Sequence, residues 1–213
     1  MTAADFRDTG PADAAIRVLL AHGAGAPMDS PFLEHMATAL AERGLACRRF
    51  EFTYMSLRRS GAKKRPAPKA ETLAGEYVTA VAATERPGQR LLIGGKSMGG
   101  RVASLVAGEL AASARVAGLV CLGYPFHPPK QPERLRTAHL EQLDLPALIV
   151  QGERDPFGTR AEVEAMRLSP SIQFAWIDDG DHDFGPRGAS GFTRRGNLAA
   201  AADAVRDFAA RLA

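Results

Sequence analysis

Short apolar runs recur along this chain, and the stretches between them carry apolar residues at helical spacing. Ile16 to Ala21, Ala46 to Phe52, Leu91 to Ile93, Val116 to Leu122, Ala147 to Gln151 and Ile172 to Ile177 are the apolar runs. Their length and nearly continuous apolar character predict strands buried on both faces. After the first run, Phe32, Met36, Ala39 and Leu40 mark a helix with Pro31 in its first turn, Asp29 or Ser30 as its cap and Gly44 at its end. Further helices are predicted from Glu71 to about Glu85, along Val102, Leu105, Val106 and Leu110, from Glu162 to Leu168 and from Asn197 to Leu212. Alternating strands and helices predict an α/β fold: a mostly parallel sheet of about six strands, helices on both faces and no large cap. No repeat or linker divides the chain, so residues 1–213 read as a single domain, with residues 1–14 as a loose N-terminal arm.

One stretch breaks the pattern. Residues 54–69, YMSLRRSGAKKRPAPK, hold Arg58, Arg59, Lys63, Lys64, Arg65 and Lys69 among Gly and Pro, and read as a basic surface loop. Such a loop can act as a lid, dock an acidic ligand or simply be solvated. A net charge of +3 and a pI of about 9.1 are too mild to argue for nucleic acid. No apolar run is long enough to cross a membrane, and the N-terminus has no basic-then-apolar leader. Cys47 and Cys121 sit in apolar segments far apart in sequence, which fits reduced core thiols of a cytoplasmic protein. The histidines and cysteines have no metal-site spacing, and neither a metal nor a cofactor is expected.

The most informative stretch is Leu91 to Arg101, LLIGGKSMGGR. A strand runs into Gly95-Lys96-Ser97-Met98-Gly99 and then into a helix. In that context, Gly-x-Ser-x-Gly describes a sharp turn that lifts a serine hydroxyl above a sheet. A serine needs a base to take its proton, and a histidine base needs a carboxylate to hold its tautomer. Asp155 follows the fifth apolar run, and His182 follows the sixth. The order Ser97, Asp155, His182, at three strand ends, is the order of a hydrolase triad. Asp155 could instead cap a helix before Thr159. Asp178, Asp179, Asp181 and Asp183 compete as the partner of His182, although acids flanking it are expected to sit in solvent. His22 is expected to organise the loop after the first strand. His35, His127 and His139 read as surface or helix residues, and Trp176 as core. Tyr124 and Phe126 follow the strand beside the serine turn, where they could line an acyl pocket or simply pack.

The segments HGAGAP (22–27), GKSMGG (95–100), the Gly152–Asp155 turn and the Gly180–His182 loop resemble the α/β-hydrolase superfamily over nearly the whole chain. The likeness is to its small lidless branch near dienelactone hydrolases. HGAGAPMDSPF and RFEFTYM are similar to predicted hydrolases related to the hydrolase-like subunit of a histone-acetyltransferase complex. The resemblance implies nucleophile Ser97, acid Asp155 and base His182. It also implies an oxyanion hole from the amides of Met98 and Ala24, with Gly25 as the alternative near the substrate. Dienelactone hydrolases proper use cysteine where this chain has Ser97, so their substrate does not carry over. The two antiparallel strands that lead the family's sheet have no visible counterpart in residues 1–14. The expected activity is serine hydrolysis of a small ester or thioester through an acyl-enzyme. The competing readings are a non-catalytic binding or scaffold module and a polyanion site at Arg58 to Lys69. Oligomeric state leaves no mark on the sequence.

Overall fold

The computed structural model describes residues 5–63 and 66–212. Its sheet has seven strands: β1 (Phe6–Thr9), β2 (Ile16–Ala21), β3 (Ala46–Phe50), β4 (Arg90–Lys96), β5 (Gly118–Leu122), β6 (Ala147–Gly152) and β7 (Ile172–Ile177). They lie in the order β1-β3-β2-β4-β5-β6-β7. All neighbours are parallel except β1 and β3. The helices are α1 (Pro31–Ala41), α2 (Thr53–Arg59), α3 (Ala74–Ala82), α4 (Met98–Ala112), α5 (Arg160–Glu164) and α6 (Arg194–Ala210).

The period-two alternation of a strand sorts its residues between the two helical layers. Val18, Leu20, Cys47, Leu92 and Val120 face α1 and α6, against Met36, Leu40, Val205 and Phe208. Leu19, Ala21, Ile93, Leu119 and Cys121 face α3 and α4, against Tyr77, Val81, Val102 and Val106. Both faces are therefore dry, which is why β2 is buried at every position. Each such Leu or Val contributes about 1.5–3 kcal/mol by leaving water. The two cysteines are free and buried, one in each layer.

The sheet corrects two expectations. Residues 1–14 are not all a loose arm: β1 pairs antiparallel with β3, supplying one leading antiparallel strand and raising the strand number to seven; residues 1–4 lie outside the described residues. The strand is polar because ion pairs hold it. Asp8 accepts from Arg48 at 2.8 and 2.7 Å and from Arg17 at 2.9 Å, while Phe6 packs on Phe50. The basic stretch, too, is only partly a loop. Its first residues form α2, held by buried Met55 and by Glu76, which accepts from the Thr53 amide and hydroxyl at 2.7 and 2.8 Å. Arg59 is forked onto Asp29 at 2.9 and 2.8 Å, and so is part of the fold. That pairing also occupies Asp29, and Ser30 is the residue that precedes α1. Lys64 and Arg65 lie outside the described residues.

Candidate active site

Four strand ends meet at the carboxyl edge of the sheet, where parallel sheets place their sites. Ser97 stands between β4 and α4 with φ 52° and ψ −116°. A positive φ is uncommon for a non-glycine residue and stores about 1–3 kcal/mol. Two backbone bonds hold it: the Ser97 amide donates to the Leu122 carbonyl at 3.0 Å, and the Ser97 carbonyl accepts from Arg101 at 3.1 Å. The flanking glycine is needed for space. A Cβ on Gly99 would lie 2.5 Å from the Ala21 carbonyl oxygen and 2.6 Å from that of His22. The start of α4 can therefore lean on the end of β2, and the serine is left half-buried at the rim. The Met98 amide belongs to the first turn of α4, where donors lack an intrahelical partner.

Asp155 follows β6 and is fully buried. Its Oδ1 accepts from the Phe157 amide at 2.9 Å. Its Oδ2 accepts from Gln151 Nε2 at 3.0 Å and bonds His182 Nδ1 at 2.7 Å. The helix-cap alternative fails because Thr159 caps α5, with Glu162 completing a capping box. Gly152 lets acid and base meet: a Cβ there would run into the Asp181 and Gly180 carbonyl oxygens of the His182 loop. The Phe157 ring lies 4.4 Å from the imidazole, centroid to centroid. Of the acids flanking His182, Asp178 is exposed and the other three are engaged elsewhere. Asp181 accepts from the Asp183 and Gly185 amides, and Asp183 pairs with Lys96. Asp179 is not in solvent but buried between Arg154 and Arg187; Arg187 holds its carboxyl at about 2.

The loop after β2 is fixed through its carbonyls. His22 is buried, with Nδ1 bonded to the Gly23 carbonyl at 2.6 Å and Nε2 accepting from the Phe52 amide at 3.2 Å. Both ring nitrogens are thus committed to backbone, and burial pushes its pKa down; it organises this loop and cannot serve as a base. Tyr54 of α2 donates to the Ala24 carbonyl at 3.0 Å. Ala24 and Gly25 themselves are exposed.

These elements border one cleft of about 1270 Å³, lined by Ala24, Gly25, Lys96, Ser97, Phe157 and His182 and continuing between α1 and α6. Acid and base are in contact. Ser97 shares their cleft, but its hydroxyl makes no hydrogen bond among the described residues. Tyr124 and Phe126 do not reach the cleft. Both are fully buried, packed at 4.9 Å centroid to centroid, with the Tyr124 hydroxyl donating to the Arg136 carbonyl at 2.9 Å. His35 is exposed, as expected, but His127 is buried and His139 is half-buried with Nε2 2.8 Å from Ser104 Oγ. Trp176 is half-buried too, because β7 is the sheet's edge; it stacks on Phe174 at 5.3 Å. Gln151, and the burial of Lys96 at the variable position of the serine motif, are the polar features of the site that the sequence alone does not reveal. Gln151, the one polar residue of ALIVQ, was the available signal; nothing marked Lys96 as buried.

A parallel sheet sealed on both faces, with a serine on a strained strand-to-helix turn and a carboxylate–imidazole pair at neighbouring strand ends, defines the α/β-hydrolase class. The chain belongs to the alpha/beta hydrolase domain family, whose profile matches residues 14–210. It is similar in fold to dienelactone hydrolase from Anabaena variabilis, with 24% identity, a TM-score of 0.72 and coverage of 97% of this chain and 90% of that one. An alpha-beta serine hydrolase homologue from Coxiella burnetii is 21% identical, with a TM-score of 0.66 over 98% of this chain and 91% of that one. A serine hydrolase without a lid from Xanthomonas campestris is 19% identical, with a TM-score of 0.61 over 85% and 81%. Among the described residues no helix is long and apolar enough to cross a membrane, and no cluster of three His, Cys, Asp or Glu could hold a metal.

Proposed function

We propose that this protein is a serine hydrolase that cleaves a small ester or thioester through an acyl-enzyme. The observation that carries the reading is the 2.7 Å contact between His182 Nδ1 and buried Asp155, made in the cleft that also holds Ser97. An imidazole that gives its Nδ1–H to a carboxylate keeps the lone pair of Nε2 for a serine proton. In this reading Ser97 Oγ bonds to the substrate carbonyl carbon as its proton passes to Nε2. Collapse of the tetrahedral intermediate breaks the bond to the alcohol or thiol, which leaves with that proton. Water repeats the sequence on the acyl-Ser97 ester, giving the free acid and the serine. The amides of Met98 and Ala24 stabilise the oxyanion, each worth about 2.7–4 kcal/mol in such a hole. The missing Ser97 bond is compatible with this scheme, since catalytic hydrogen bonds in unliganded enzymes are often long and tighten on substrate.

The test is direct. A fluorophosphonate probe is expected to label the full chain once, at Ser97, and the protein to hydrolyse short p-nitrophenyl esters. Ser97→Ala is expected to abolish both while leaving the melting curve in place. Folded wild-type protein that neither labels nor turns over any ester in the series would sink the reading in favour of a binding module.

A further inference from the structure

Lys96 is the buried charge that the proposed chemistry leaves unused. It immediately precedes Ser97, ends β4 and is 6% exposed. A lone ammonium in that position is costly unless its donors are taken up. Its Nζ donates to the His182 carbonyl at 2.8 Å, pairs with Asp183 Oδ1 at 3.3 Å and lies 5.2 Å from the centre of the Phe32 ring. One side chain thus joins three elements: the strand that presents the serine, the loop that carries the histidine, and α1. The bond to the His182 carbonyl is the informative one, because it grips the backbone of the base from the residue beside the nucleophile. The other side of that loop is gripped by Arg154, which donates to the Asp179 and Gly185 carbonyls at 3.0 and 3.2 Å.

We propose that Lys96 is a positioning residue for the hydrolytic centre, fixing the backbone of His182 relative to Ser97. The inference rests on the serine hydrolase reading for its kinetic consequence, but not for its geometric one. The charged groups around His182 are Asp155 from the turn after β6, Asp181 and Asp183 from its own loop, and Lys96 from β4. Arg154 and Arg187 are spent on Asp179. Lys96 is the cation that touches the His182 backbone from the strand that presents the serine. Burial pushes its own pKa down, and Asp183 and Asp155 pull it back.

The experiment uses the full-length protein labelled at histidine nitrogen, with the His182 signal identified by its loss in His182→Asn. In Lys96→Met that signal is expected to shift and broaden, since the loop loses its anchor to β4. In ester hydrolysis, Lys96→Met is expected to lower kcat at least about tenfold with KM within about twofold. Lys96→Arg, which keeps the charge and a donor, is expected to lose less of the rate, and keeps the test open where Lys96→Met does not fold. Asp183→Asn removes the exposed partner of Lys96 but leaves the bond to the His182 carbonyl, and is expected to keep kcat within about twofold. A wild-type His182 signal or a wild-type kcat in folded Lys96→Met overturns the proposal, as does an Asp183→Asn loss as large as that of Lys96→Met. If the wild type itself neither labels nor turns over, the hydrolase reading fails separately, and the histidine signal alone decides whether Lys96 holds His182.

Discussion

Among the described residues, α4 and the turn before it carry two serine–histidine neighbourhoods, and the two are built differently. Ser104, two turns along α4 from Ser97, bonds His139 Nε2 at 2.8 Å, a closer Ser–His contact than the cleft provides. Yet Ser104 lies inside a regular helix, and its hydroxyl also donates to the Arg101 carbonyl at 2.8 Å. Tyr124 Oη lies 3.5 Å from the same Nε2, and among the described residues no carboxylate bonds the ring. Burial, helped by Arg101, holds its pKa down at about 4. Ser97 has the reverse endowment: a strained backbone at the head of a helix, an open cleft, and a histidine backed by a buried acid. Under the proposed chemistry, a Ser–His distance alone is a poor signature of reactivity. What counts is whether a third group fixes the imidazole and whether unpaired amides wait where charge will develop.

Asp155→Asn is the sharpest way to break that contrast. The amide would donate toward His182 Nδ1 and force the proton to Nε2, so kcat for ester hydrolysis is expected to fall by about 10³–10⁴-fold while KM changes little. Steady-state kinetics on a short p-nitrophenyl ester check it, and a loss under tenfold would make Asp155 a structural acid only.

A smaller effect should mark the silent pair. His139 binds its proton at about 4 in the folded protein but near its ordinary value once unfolded. Between those two pH values the unfolded chain holds a proton that the native one does not, so stability declines as pH falls through that window. His139→Gln is expected to flatten this part of the curve, measured as urea midpoints at pH 7, 5.5 and 4.5. The residual slope should come from His22, whose pKa is also pushed down by burial, and toward pH 4.5 from Glu71 and Glu162, whose hydrogen bonds hold their carboxyls below the usual value. Asp179, held at about 2 by Arg187, acts only at lower pH. The smallest effect belongs to Ser104→Ala, expected to cost about 1 kcal/mol of stability and to leave kcat within about twofold. A large loss of activity there would erase the distinction between the two pairs.

The α/β alternation was legible because a parallel strand sealed on both faces must be apolar throughout, as in IRVLLA and ALIVQ. Strand β1 was not, because FRDT is joined to the sheet by ion pairs to Arg48 and Arg17, partners no local pattern can reveal. Helix α2 was hidden by the Gly, Pro and Lys that follow it; YMSLRR itself contains no helix breaker. At the site, Ser97, Asp155 and His182 stood out as candidates because each follows a buried strand and sits beside a glycine or a turn. The contact of Asp155 with His182 depends on Gly152 and Gln151, whose roles appear only once β6 and β7 are adjacent. Tyr124 and Phe126 show the opposite limit: position after a strand does not say which way an aromatic ring turns, and these two turn into the core.

The separation of the two thiols between the helical layers has a practical consequence. Burial pushes both pKa values up, that of Cys47 to about 12, so neither is a thiolate near neutral pH. A serine-directed electrophile should therefore meet no competing sulfur in the native state. Each cysteine also becomes a built-in reporter. Alkylation of Cys47 registers loosening of the α1–α6 side, and alkylation of Cys121 loosening of the α3–α4 side, so one mass measurement can tell which half of the sandwich opens first.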